Sequence, residues 1–234
     1  MRTLSALRYD ILFQLRHGFY TAYALLTVIY IGILLNLPVP IRGWATVLLI
    51  FSDTSVLGYF FIGGIILMER RQGTLDTLTV TPLRPWEYLW AKILSLTGIS
   101  MIVSALILLI TAGIRPDLGW FLTGVFLSAI FFTLIGLAIA VRSSTVNEYF
   151  FRGIYYYIIF MIPLVDFFGL AEHPVFYLFP TLAILTLLES VFRSHSLSQL
   201  WFAVAILLIW CVLGWIWVRA WFRKYVILRK GGNR

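Results

Sequence analysis

The chain has 234 residues, 61% of them hydrophobic, 17% aromatic and 12% charged, with 18 Lys and Arg against 10 Asp and Glu. Soluble domains carry about 25% charged residues, so half that share leaves too little polar surface to coat a globule in water. The composition excludes a soluble enzyme, a disordered chain and a nucleic-acid-binding domain. It predicts an all-α integral membrane protein with room for about six or seven spans.

Residues 1–18 come first and predict a cytoplasmic amphipathic helix. Leu4, Leu7, Ile11, Leu12 and Leu15 form one helical stripe, with arginines on the other face. Such a helix lies flat at the membrane surface. A cleavable signal is not expected, because Arg2, Arg8, Asp10, Arg16 and His17 precede the apolar run.

Residues 19–218 then predict six transmembrane helices: Phe19–Leu37, Trp44–Met68, Ile93–Ala112, Gly119–Val141, Gly153–Gly169 and Trp201–Val218. Each has about the length needed to cross a ~30 Å hydrocarbon core. Pro38 and Pro40 end the first span. Trp44, Trp86, Trp90, Trp120, Trp201 and Trp221 fall near span ends, where indole rings favour the membrane–water interface. A further apolar run, Pro174–Leu188, is too short to cross and contains Pro174 and Pro180. It predicts re-entrant half-helices within an outer segment, residues 170–198. Residues 219–234 form a basic tail. With six spans and both termini cytoplasmic, only Arg42, Arg115 and Arg193 of the 18 Lys and Arg residues lie outside, as the positive-inside bias requires. The expected location is the plasma or inner cell membrane, multi-pass.

One cytoplasmic loop, residues 69–92, is long enough for an elaborate role. Gly73 permits a break after the second span. Thr74 caps a short helix with Asp76 in its first turn. Leu75 and Leu78 share a face, Pro82 stops the helix, and Pro85 fits the first turn of the third span. Glu69, Arg70, Gly73, Thr74, Leu75, Asp76, Leu78, Thr81 and Pro82 occur in the order acidic, basic, Gly-Thr-Leu-acidic, Leu, Thr-Pro. This motif resembles the coupling-helix loop of ATP-binding-cassette (ABC) transporter permeases of the second, export type. The six spans, basic amphipathic start and outer half-helices are similar to that family as well.

The resemblance implies a permease subunit of an ATP-driven exporter. Its short helix would sit in a groove on each of two separate cytoplasmic ABC ATPase subunits, which carry the ATP and Mg. It would pair with a second permease copy or a paralogue, as a homo- or heterodimer surrounded by membrane lipids. Family cargoes include drugs, antibiotic peptides, lipids, polysaccharides, haem-related compounds and ions; the abundant aromatics here favour a small hydrophobic or amphipathic compound such as a drug. Lys92, Lys224 and Lys230 stand in no phosphate-binding loop, so this chain is expected to be a non-catalytic membrane subunit that binds no cofactor itself.

Several polar residues are candidates for the substrate path. Asp53 lies roughly 13 Å below the outer end of the second span at 1.5 Å per residue, within Ser52, Thr54 and Ser55. A carboxylate at that depth faces a cavity or a partner; both an export path and helix–helix bonding fit it. Asp166 and Glu189 fall near the outer face, and Tyr156 belongs to an aromatic stretch in span five that suits either a flat amphipathic molecule or lipid packing. No Cys, His and carboxylate spacing points to a metal. Two rival readings are a gradient-driven secondary transporter, which lacks support from any inverted repeat, and an intramembrane enzyme, whose usual motifs are absent.

Overall fold

The computed structural model describes residues 2–74, 84–113, 116–171 and 173–227, with the backbone alone at residues 2, 226 and 227. Every described element is helical. α1 (Arg2–Arg16) precedes α2 (Phe19–Asn36), α3 (Val39–Arg71), α4 (Pro85–Ala112) and α5 (Leu118–Arg142). α6 (Val146–Met161), the short α7 (Leu164–Phe167), a 3₁₀ turn over Pro174–Leu178, α8 (Pro180–Glu189) and α9 (Leu197–Phe222) complete the chain.

Prolines set several boundaries. α2 stops at Asn36, and α3 then opens with Pro38 as its N-cap and Pro40 in its first turn, where no amide donor is needed. α4 likewise opens on Pro85. There the Glu87 carboxylate accepts from the Arg84 backbone N–H at 2.8 Å, filling one of the orphan donors of a helix start. Both helices therefore begin earlier than their apolar runs predict.

Five described helices are long and apolar enough to cross a membrane: α2, α3, α4, α5 and α9. The predicted fifth span, residues 153–169, is divided. α6 starts at Val146, capped by the Thr145 hydroxyl, and ends at Met161; Pro163 then starts α7. Its 16 residues are fewer than the ~20 that span hydrocarbon, and its first two turns carry Asn147, Glu148 and Arg152. The apolar run predicted as re-entrant becomes the 3₁₀ turn and the ten-residue α8, most of whose side chains are buried.

α5 is the central helix and packs against α3, α4, α8 and α9. Its small residues explain how. A Cβ at Gly136 would lie 2.5 Å from Ile62 Cγ2 and 2.6 Å from the Tyr59 carbonyl oxygen, so glycine lets α3 come close. Close backbone approach is what holds membrane helices together when lipid is as apolar as the side chains. Opposite Gly136, α3 widens into a π turn over Leu57–Phe61. π turns loosen the regular ladder of backbone bonds. Tyr149 of α6 donates its hydroxyl proton to the Tyr59 carbonyl, and Tyr59 donates in return to the Gly153 carbonyl at 2.6 Å.

α1 packs on α4 and α2, and it does so through a polar face. Asp10, Phe13 and Gln14 are buried, whereas Leu4, Leu12 and Leu15 are exposed. Leu7 and Ile11 of the same stripe are half-buried, so part of the apolar stripe is left exposed for lipid.

Candidate functional site

The first candidate site is built where the loop 69–92 leaves and rejoins the bundle. α3 ends at Arg71, and Gly73 (φ +72°) breaks it as predicted. Just before the break, Glu69 turns inward. It accepts a hydrogen bond from the Tyr88 hydroxyl and another from Lys92 Nζ at 2.5 Å. The same ammonium pairs with Asp10 of α1. Ser95 donates to Asp10 as well, and Gln14 Nε2 lies 2.8 Å from Asp10 Oδ2 and 2.9 Å from Ser95 Oγ.

Asp10, Glu69 and Lys92 are each no more than 3% exposed. An ammonium flanked by two carboxylates leaves one net negative charge, and the hydroxyl and amide donors of Ser95, Gln14 and Tyr88 stabilise it. Buried charges persist only with such complete pairing. The ring of Tyr88 and that of Phe13 lie 5.3 and 5.6 Å from Lys92 Nζ, adding cation–π attraction.

Arg70 also turns into the protein. Its guanidinium donates to the carbonyls of Val141, at 2.7 Å, and Ser143. These are the last carbonyls of α5, where a cation complements the helix dipole. Of the coupling motif, then, Glu69 and Arg70 anchor the root of the loop, while Gly73 and Thr74 lead out of it. Leu75, Asp76, Leu78, Thr81 and Pro82, and the short helix predicted there, lie outside the described residues. Sequence reasoning missed Asp10, Tyr88 and Lys92. The available signal was charge sign: one acid in a basic leader and one lysine set past Trp90 in an apolar run.

The mid-membrane candidates are distributed among different neighbours. Asp53 is 3% exposed and accepts a hydrogen bond from the Tyr23 hydroxyl of α2. Ser128 of α5 donates to Thr54 at 3.0 Å, and Ser55 lies 3.1 Å from the Tyr157 hydroxyl of α6. Ser52 is half-buried. At about 100° per residue, three successive polar side chains meet three different helices. Tyr156 stands apart, edge-on to Trp217 at 5.4 Å.

Asp166 and Glu189, expected near the outer face, do meet. Asp166 and Glu189 line one cavity of 310 Å³, together with Arg193, His195 and aromatic rings. Burial pushes the Glu189 carboxyl above its ordinary range, with Arg193 and His195 pulling it back.

A model of the fluoroquinolones export permease protein family matches residues 1–230. A fluoroquinolones export permease protein of Mycobacterium tuberculosis, found in two strains, is 32% identical over 234 residues, covering 98% of each chain. The chain belongs to the fluoroquinolones export permease protein family. It is a multi-pass membrane export permease, in keeping with the ABC export-permease resemblance of the loop motif. The inner membrane transport permease YhhJ of Escherichia coli is also similar, 32% identical over 97 residues, which are 39% of this chain and 26% of that protein.

Proposed function

We propose that this permease is the membrane half of an ATP-driven exporter. A separate cytoplasmic ABC ATPase supplies the energy, with ATP and Mg on that partner, and this chain performs no chemistry. Loop 69–92 receives the ATPase through Leu75 and Leu78 as apolar anchors in a groove. The observation that supports this reading is the Asp10–Lys92–Glu69 network. It joins both roots of the loop to each other and to α1, so a push on the loop reaches α3 and α4 as one body.

The topology that goes with it has six crossings, α6 and α7 together making the fifth, and both termini cytoplasmic. The unit is a pair, this chain with a copy or a paralogue. The cargo is a small aromatic amphipathic compound, of the kind named for the relatives.

Co-purification tests the reading. A candidate ATPase co-expressed with the permease should be retained by it, and Leu75→Asp or Leu78→Asp should release it. An unpaired charge at an apolar anchor costs a few kcal/mol. Retention at wild-type strength with normal export would remove the loop from the mechanism. An impermeant thiol reagent that labelled a cysteine placed in residues 219–234 on intact cells would refute the six-crossing topology.

A further inference from the structure

The cavity shared by Asp166 and Glu189 carries polar groups that no described neighbour uses. Among the described residues, Asp166 Oδ1 and His195 Nε2 are buried without hydrogen-bond partners. Glu189 faces Arg193 and His195 at 3.9 Å each, beyond hydrogen-bond reach. All four line the 310 Å³ cavity, whose walls include Phe167, Tyr177 and Phe202. Glu189 and Arg193 also line an adjoining cavity of 490 Å³ with Arg42 and Trp44. Arg42 has its own unused donor: the guanidinium binds the Leu35 and Leu37 carbonyls at 3.1 and 3.0 Å, but its Nε–H is buried and unpartnered.

Two chambers thus share a wall, Glu189 and Arg193, and differ in charge. One adds a carboxylate, Asp166, beside the imidazole of His195; the other adds a guanidinium, Arg42. Among the described residues no three of His, Cys, Asp and Glu converge as metal ligands, so the acidic chamber suits a singly charged amine better than a metal ion. Aromatic walls suit a flat ring system.

We infer that these adjoining chambers form an outer binding site for an aromatic zwitterion, its ammonium held at Asp166 and Glu189 and its carboxylate at Arg193 and Arg42. The inference rests on the export reading and adds to it where the cargo stops and how its two charges are read. Charge-assisted hydrogen bonds to a ligand would complete the pairing that the protein leaves open.

The test is binding to the permease in nanodiscs, without ATP or ATPase, followed by ligand fluorescence. Three forms of one fluorescent fluoroquinolone serve as probes: the free zwitterion, its carboxylate methyl ester and its N-acetyl amide. The wild type should bind the zwitterion about tenfold more tightly than either blocked form. Asp166→Asn should weaken the zwitterion and the ester about tenfold and leave the acetyl form unchanged. Arg193→Gln should abolish the preference for the zwitterion over the ester. Equal binding of all three forms by the wild type would overturn the site without recourse to any variant. So would wild-type affinities in both variants. Transport by vesicles that carry the permease together with its ATPase and are loaded with ATP separates the two readings. Export that survives while charge discrimination is missing removes the site alone; failure to export any of the probes removes the reading beneath it.

Discussion

The two ends of the permease handle charge in opposite ways. At the end that carries the roots of loop 69–92, Asp10, Glu69 and Lys92 are almost fully buried and bonded to one another or to Ser95, Gln14 and Tyr88. At the other end, Asp166, Glu189, Arg193 and His195 share a cavity, and among the described residues the contacts of Glu189 with Arg193 and His195 are ion pairs at 3.9 Å, too long for hydrogen bonds. Arg193 is 72% exposed. The difference separates two uses of charge. Groups that satisfy each other rigidify the parts they join. Groups held apart over a cavity are free to meet something else.

Breaking the inner network should have the largest effect. Lys92→Met strands two carboxylates in a buried place, which costs about 3–5 kcal/mol. The expected result is a large drop in melting temperature and in the amount of permease assembled in the membrane. Adding Asp10→Asn and Glu69→Gln to the same chain should recover much of the loss, because the remaining groups are then neutral. Wild-type melting of Lys92→Met would mean that the network is not closed as the structure draws it.

A middle effect is expected at Asp53, which lies between the two ends. Tyr23→Phe removes the hydroxyl that donates to it, and an unpartnered buried acceptor costs about 1–3 kcal/mol. Asp53→Asn keeps an acceptor and should be milder. Thermal unfolding of both variants, beside export per assembled permease, separates bonding from path. If Asn melts like wild type yet exports poorly, the carboxylate serves the cargo.

The smallest effect on stability belongs to Glu189. Burial raises its pKa in the folded chain, so the folded state holds that proton more tightly than the unfolded chain does. Stability should therefore fall as pH rises from the ordinary carboxylate range through the raised value. Glu189→Gln should flatten that slope and leave the melting temperature at neutral pH unchanged or slightly higher. A marked loss of stability would show that Glu189 is a structural ion pair like those inside, and the contrast between the two ends would disappear.

Some of this was legible along the chain and some was not. The long apolar runs mark α2, α3, α4, α5 and α9, because about 20 residues must be apolar to cross lipid wherever they occur. Gly73, Pro38 and Pro85 mark breaks and starts, since their backbone chemistry acts locally. The loop motif pointed to the export permeases, and the family match bears that out.

Pairing was decided only by packing. Asp10 and Lys92 are 82 positions apart, and no local pattern says that α1 presents them to each other. Glu69 and Arg70 were legible as loop residues, yet the helix ends around them turn both side chains inward. The π turn opposite Gly136 follows from how α3 and α5 fit together, whereas Pro163 marks the division of α6 from α7 in the sequence itself. The sequence by itself determined where the chain can cross a membrane and which segment resembles a coupling loop, because both depend on residues close together. Which charges are satisfied and which stand open over a cavity depended on the tertiary structure, because burial and partners are supplied by helices distant in the chain.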